Sequence, residues 1–295
     1  MFSVPWSVTI VLTVMLGACA PEPTAQALSS PNSGAIVDRQ LASIMSMNPC
    51  VDAVLERVAN PNQILSVSHY SHNPSAASAS IEWARQFPAN FDTAEEAIAA
   101  APDIVLIGAH AAPQTVAALR RAGIRVETFG VPASVGESLE QIGRIGVLTG
   151  RERQAGLLVD AVERATAPRQ QSNERPINAL VWLRGGLVPG SNTLVGEMLE
   201  RAGFSNASRS YGLQDWDIMP GERLVAEPPE VIFTPEAEST DRSTKAAIID
   251  RLEDTTKLAH LPQNLVYCAG PNLIELSERL AAARAAYPAG TVARK

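Results

Sequence analysis

The stretch Glu95–Ile107, EEAIAAAPDIVLI, decides the fold of this 295-residue chain, because nearly the same pattern returns at Glu222–Thr234 as ERLVAEPPEVIFT. Each copy begins with a glutamate, continues through a short run of helix-forming residues to a Pro-acid step, and ends in a four-residue apolar run, IVLI in the first copy and VIFT, with a terminal threonine, in the second. Amphipathic spacing followed by a short apolar run predicts a helix and then a buried strand. The chain therefore contains this helix-strand unit twice.

A second echo precedes each copy. Residues 55–59 read LERVA and residues 199–203 read LERAG. Two motifs that recur in the same order predict two related α/β halves, because a repeated supersecondary unit leaves this kind of internal similarity.

Apolar and amphipathic stretches alternate around these motifs. Strands are predicted at 42–47 and 64–68 with a helix at 51–59 between them, and the alternation restarts at 178–183. We therefore predict an N-terminal lobe at 36–133 and a C-terminal lobe at 171–295.

The intervening region, 134–170, has helical spacing that pauses at Thr149–Gly150. A helix over 151–167 places Ala155, Leu158, Val162 and Ala165 on one stripe. At 1.5 Å per residue it is about 25 Å long, enough to join two lobes. The predicted fold class is α/β, with two Rossmann-like lobes joined by one long helix and a ligand cleft between them.

Composition and motifs narrow the function. Hydrophobic residues make up 46% of the chain and the formal charge is -7, so no basic face for nucleic acid is expected. The sequence contains no G-x-S-x-G, H-E-x-x-H or Walker motif. We therefore expect neither an enzyme, nor a bound cofactor, nor a nucleic-acid partner.

The N-terminus is typical of an exported protein. Residues 1–19 have a short apolar core that ends in LGAC, which resembles a lipoprotein box with Cys19 as the lipidated residue. The alternatives are cleavage at an ordinary small-residue site, which would release a soluble periplasmic protein, and an uncleaved anchor. Residues 20–35 are predicted to be a flexible tether. The expected location is the periplasm or cell envelope, with a lipid anchor at Cys19.

Two further cysteines, Cys50 and Cys268, allow three hypotheses. An oxidising compartment favours a disulfide, which requires Cα atoms within about 7 Å. Sulfur together with the imidazole of His69 could instead bind a soft metal. The third possibility is a pair of unpaired thiols.

This organisation resembles the substrate-binding proteins of bacterial ABC importers, in the helical-backbone class III group that carries cobalamin, ferric siderophores or haem. The resemblance covers most of residues 36–287. Two local motifs fit the cobalamin-binding members best, SVSHYSHNP at 66–74 and QDWDIMPGE at 214–222.

The resemblance implies a set of ligand contacts in the cleft. Tyr70 and Trp216 correspond to aromatic residues that contact the corrin ring. The expected cleft residues also include His69, Cys50 and Cys268. The strand after Pro102 runs into Gly108-Ala109-His110, where the cobalamin-binding pattern has an aromatic residue, so His110 is the ligand candidate there.

The resemblance also suggests a role for the repeated glutamates. Glu95 and Glu222 match the exposed glutamates with which each lobe docks onto arginines of the permease. An alternative is helix capping, with Asp92 as N-cap and Pro220 as first helical residue, which would put both glutamates at the third helical position. The two roles are compatible.

The functional prediction is a monomeric periplasmic receptor that delivers a small metal-containing ligand to an ABC permease in the inner membrane. The favoured ligand is a cobalamin-like corrinoid or an iron chelate, carried as cargo. One alternative is a ferric-siderophore or haem receptor of the same fold. Another is a periplasmic thiol or metal-binding protein that uses Cys50, Cys268 and His69.

Overall fold

The computed structural model describes residues 41–169, 175–235, 248, 251–252 and 255–287. The described residues from Leu41 onward form one compact unit. The predicted signal peptide at 1–19, its Cys19 and the predicted tether at 20–35 lie outside the described residues.

The first sheet has five strands in the order β3-β2-β1-β4-β5, and every neighbouring pair is parallel. Its strands are β1 (Ile44–Met47), β2 (Ile64–Ser68), β3 (Ala89–Asn90), β4 (Ile104–Gly108) and β5 (Arg125–Phe129). Its helices are α1 (Pro49–Val58), α2 (Ile81–Ala84), α3 (Ala94–Ala100) and α4 (Pro113–Arg121).

The central strands of this sheet are buried on both faces, which explains their unbroken apolar runs. Ile44 and Leu106 pack into the large central core, while Met45, Val105 and Ile107 pack into a separate cluster on the opposite face. This alternation follows the two-residue period of a strand.

The second sheet has four strands in the order β11-β10-β6-β8, again with parallel neighbours. Its strands are β6 (Ile177–Val181), β8 (Phe204–Asn206), β10 (Val231–Thr234) and β11 (Lys257–His260). A separate antiparallel ribbon pairs β7 (Leu187–Pro189) with β9 (Trp216–Ile218). The described helices are α7 (Leu194–Arg201), α8 (Gly221–Ala226), α9 (Asn264–Tyr267) and α10 (Asn272–Ala286).

The two sheets have the same strand order. Read across each sheet, β2-β1-β4-β5 corresponds to β8-β6-β10-β11, and β3 is an additional edge strand of the first sheet. The echoed motifs fall at equivalent places, since α1 and α7 end in the Leu-Glu-Arg motif and α3 and α8 precede the third equivalent strand. The prediction of two related α/β lobes is confirmed. We call the parts built on the five-stranded and four-stranded sheets the first and second lobe; the exact boundaries at 133 and 171 stay a prediction.

Two helices, α5 (Val135–Thr149) and α6 (Glu152–Ala165), join the lobes. The break occurs at Gly150, whose φ of 65° is the left-handed conformation that ends a helix. On α6, Ala155, Leu158 and Val162 are buried as expected. This helix packs against α1 of the first lobe and α10 of the second. None of the helices in the described part of the chain is long and apolar enough to span a membrane.

Candidate ligand-binding site

A cavity of about 770 Å³ opens at the carboxyl ends of the first sheet's strands. Parallel strands all end at one edge, so the loops that follow them converge there, and ligands of open α/β folds bind at this edge. Residues that follow four strands line the cavity: Met47–Val51 after β1, Tyr70 after β2, Ile107–Ala112 after β4 and Phe129–Pro132 after β5.

The second lobe supplies one wall through residues 263–270. The Nδ2 of Asn264 donates a hydrogen bond to the carbonyl of Ala77 at 3.1 Å, and the Gly270 N–H donates to Ser138 Oγ at 3.0 Å. The cavity therefore lies between the lobes, where the sequence predicts the ligand cleft.

A disulfide between Cys50 and Cys268 joins the lobes at this cavity, with Cα atoms 5.0 Å apart. Of the three hypotheses for these cysteines, the disulfide is confirmed. The unpaired-thiol and metal hypotheses are wrong for this pair, because neither sulfur is a thiolate. Cys268 is the C-cap of helix α9, whereas Cys50 lies in the first turn of α1.

Of the other expected ligand contacts, Tyr70 and His110 line the cavity and both are exposed. Trp216 does not line it. The tryptophan is half-buried on β9, with its ring centroid 6.2 Å from that of Tyr267, beside a second cavity of about 10 Å³ that shares Tyr267 and Cys268 with the first. The Tyr267 side chain thus lies between Trp216 and the large cavity.

His69 lies at the rim and is not among the residues that line the cavity. Its ring packs against Tyr70 and Phe91, with centroids 4.0 and 5.0 Å away, and its Nδ1 lies 3.1 Å from the Asn90 carbonyl. No group of three metal-binding side chains occurs within the described ranges. The predicted Cys50–Cys268–His69 metal site is therefore not assembled.

Several polar lining residues were not predicted from the sequence as ligand contacts. Asp92 lines the cavity in a left-handed conformation, with φ of 63°, and its Oδ1 is buried with no hydrogen-bond partner. Burial raises the pKa of Asp92, and the charge of the nearby His69 opposes this rise. Gln141, Asn264 and Tyr267 add uncharged polar groups. Tyr267 adjoins Cys268 in sequence, which was the one available signal.

Buried polar residues hold the Tyr70 loop in place. Asp52 on α1 is fully buried, and its Oδ2 accepts hydrogen bonds from the Ser68 N–H at 3.0 Å and from Ser71 Oγ at 2.6 Å. Burial raises the pKa of Asp52 to about 7. The Asn90 amide donates to the Ser46 and Val67 carbonyls at 2.8 and 2.9 Å. These hydrogen bonds hold the Tyr70 loop and the adjoining end of β2 in place.

The capping alternative for the repeated glutamates is wrong in its details. Thr93, not Asp92, is the N-cap of α3, and Glu96 completes the capping box. Pro220 is itself the N-cap of α8. Glu95 and Glu222 consequently both occupy the second helical position, both are exposed, and neither forms a hydrogen bond or ion pair with another described residue.

The sequence profile of a family described as periplasmic binding protein matches residues 44–262. The chain therefore belongs to the periplasmic binding protein family, whose members bind solutes and are not enzymes. A comparison with curated protein sequences gave no match.

Solved structures share the fold at low identity. A possible iron-binding periplasmic solute-binding protein of Staphylococcus epidermidis is 19% identical, with a TM-score of 0.64 over 84% of this chain and 98% of that one. The periplasmic heme-binding protein HutB of Vibrio cholerae is 16% identical, with a TM-score of 0.66 over 84% and 99%. The vitamin B12-binding protein BtuF of Vibrio cholerae is 16% identical, with a TM-score of 0.61 over 82% and 96%.

Proposed function

We propose that this chain is the receptor of an ABC importer, which captures a bulky metal chelate, either a cobalamin-like corrinoid or an iron chelate, and delivers it to a permease in the inner membrane. The observation that carries the proposal is the cavity of about 770 Å³ between the lobes. Its size lies in the upper part of the range of roughly 300–1,000 Å³ that is usual for small-molecule sites. The similar folds include proteins named for iron, haem and vitamin B12 binding.

Tyr70 supports a ring-shaped ligand. Its side chain is 47% exposed although it lines the cavity, and it packs against the ring of His69. An exposed aromatic face at a cavity mouth offers a surface on which a flat ligand can stack. The second lobe's Trp216 would contact only ligand that reaches past Tyr267.

Glu95 and Glu222 support delivery to a permease. They occupy equivalent positions in the two lobes, and their carboxylates are not used in helix capping. A matched pair of exposed anionic groups suits a two-fold symmetric partner with basic sockets, and such charges orient encounter more than they add affinity. We also propose that Cys19 carries a lipid anchor, which membrane fractionation of Cys19→Ala would test.

The experiment is a titration of the apo protein with cyanocobalamin, a ferric siderophore and haem, followed by tryptophan fluorescence, together with uptake in cells. Glu95→Lys with Glu222→Lys should abolish uptake and leave ligand affinity unchanged. Glu140→Lys with Glu163→Lys, which reverses two other exposed helical charges, is the matched control. Normal uptake by the first double variant would remove the docking role, and absence of binding by all three ligands would remove the receptor proposal.

The thiol or metal-binding alternative has lost its basis, since the disulfide consumes both sulfurs. Haem and ferric siderophores stay in the titration as rival cargoes for the same cavity.

A further inference from the structure

Few of the described side chains that line the cavity can carry a charge. Among the described residues that line it there is no lysine or arginine. The ionisable groups on the wall are the carboxyl of Asp92, the imidazole of His110 and the phenols of Tyr70 and Tyr267. Asp92 is therefore the one carboxyl among these described residues, and the His110 imidazole is the one basic side chain.

The remaining polar groups are uncharged donors and acceptors. The Tyr267 hydroxyl accepts a hydrogen bond from Gln263 Nε2 at 2.7 Å, which leaves its own proton to donate. The Asn264 amide uses Nδ2 to reach Ala77, so its Oδ1 can still accept. Gln141 likewise donates through Nε2 to the Gly130 carbonyl at 3.0 Å and keeps Oε1 for a ligand. Such groups match amide substituents and not carboxylates.

An anion in this cavity would lose hydration without gaining a counter-ion. Transfer of an ionised group from water is costly unless it is paired and hydrogen-bonded. The carboxylate of Asp92 would repel a ligand anion. One oxygen of this half-buried carboxyl already has no hydrogen-bond partner. The negative charge of Asp92 also disfavours ionisation of the buried Asp52 carboxyl.

We infer that the cargo, if the proposed receptor function holds, is a chelate without net negative charge, whose periphery carries amides or other uncharged hydrogen-bonding groups. The same wall disfavours polyanionic ferric chelates and carboxylate-bearing porphyrins relative to uncharged cargoes. A ligand of suitable shape but net negative charge should therefore bind weakly in this cavity.

Matched probe pairs test this inference. Cyanocobalamin, which is uncharged, is compared with its derivative in which one side-chain amide is a carboxylate. Ferric ferrichrome, also uncharged, is compared with the trianionic ferric enterobactin. In each pair that binds, the uncharged member should bind at least tenfold more tightly. Equal affinities, or tighter binding of the anion, overturn the inference and leave the receptor function standing.

A dye pair separates the inference from the identity of the cargo. Uncharged Nile red should bind with a signal that Ala109→Trp removes, because residue 109 lines the cavity and the indole would occupy space that the dye needs. Anionic 8-anilinonaphthalene-1-sulfonate should show no component that Ala109→Trp removes. If no chelate binds but the dyes behave in this way, the proposed cargo is wrong and the charge selection holds. A cavity signal from the anionic dye, or none from Nile red, overturns it.

A gain-of-charge variant provides the reverse test. Ala112 is an exposed lining residue, so Ala112→Arg adds a cation at the cavity mouth without disturbing the core. It should raise affinity for the anionic member of the tested pair, dye or chelate, at least tenfold. Ala100→Arg, at an exposed position outside the cavity, is the matched control and should leave it unchanged. If Ala112→Arg folds, as shown by an unchanged melting temperature, and anion affinity stays at the wild-type level, charge is not what the cavity selects.

Discussion

The two lobes share one strand order and yet treat the carboxyl ends of their sheets differently. In the first lobe these ends open into the cavity. In the second, the β7–β9 ribbon follows β6, and Trp182, Val188 and Met219 fill the adjoining space as buried members of one hydrophobic cluster. A repeated topology therefore does not imply a repeated site, because the loops that follow the strands decide whether the edge is packed or open.

The lobes also differ one turn before the echoed Leu-Glu-Arg motif. Asp52 stands three residues before Leu55, and Gly196 stands three residues before Leu199. In the first lobe the Asp52 carboxylate holds the end of β2 through Ser68. In the second, a Cβ at Gly196 would lie 2.5 Å from the Gly190 carbonyl oxygen and 2.9 Å from Asn206 Nδ2. The first lobe joins helix and strand with a side chain, and the second does so by close approach of the backbone.

The largest expected effect concerns the link between the lobes. Cys50→Ala with Cys268→Ala should lower the free energy of unfolding by roughly 2–5 kcal/mol, because the disulfide restricts the unfolded chain and closes a long loop. Urea unfolding measures this loss. Reductant should lower the stability of the wild type by a similar amount and leave the double variant unchanged. Two reactive thiols in the untreated native protein would contradict the disulfide.

A smaller effect should follow from filling the close approach in the second lobe. Gly196→Ala should lower the free energy of unfolding by roughly 1–3 kcal/mol, because its methyl group would meet backbone atoms that cannot give way. Gly143→Ala is the control: it lies in helix α5 with no atom within 4 Å of its added Cβ, and should raise stability by up to about 1 kcal/mol. If Gly196→Ala and Gly143→Ala changed the free energy of unfolding equally, the close approach at Gly196 would be absent.

The third effect depends on pH and comes from Asp52 in the first lobe. Its folded pKa of about 7 lies above the ordinary value of 3.8, so the folded state binds more protons between these values. Stability should therefore be greatest below about pH 4 for this group and fall as pH rises toward 7, by up to roughly 1.4 kcal/mol per unit. Asp52→Asn should remove this component from the slope of stability against pH. The exposed Asp160→Asn should not, and a wild-type slope in Asp52→Asn would show that the carboxyl is not responsible.

Much of the fold was predictable because its signals are local. The central strands have apolar runs that reflect burial on both faces, and the helical break coincides with Gly150. The strands that the pattern missed are short, and β9 has no buried residue at all, so no alternation marks it. The capping prediction moved by one residue because Asp92 adopts a left-handed conformation that leaves Thr93 to begin the helix.

The sequence by itself determined two α/β halves and the helices between them, because each follows from periodicity within a short span. Only the tertiary structure decided that Cys50 pairs with Cys268 across 218 positions, that His69 lies apart from both, and that the described residues lining the cavity have no ionisable side chains except one carboxyl, one imidazole and two phenols. These features join residues that are distant in the chain. No local pattern records which of the converging loops brings its side chains to the shared wall.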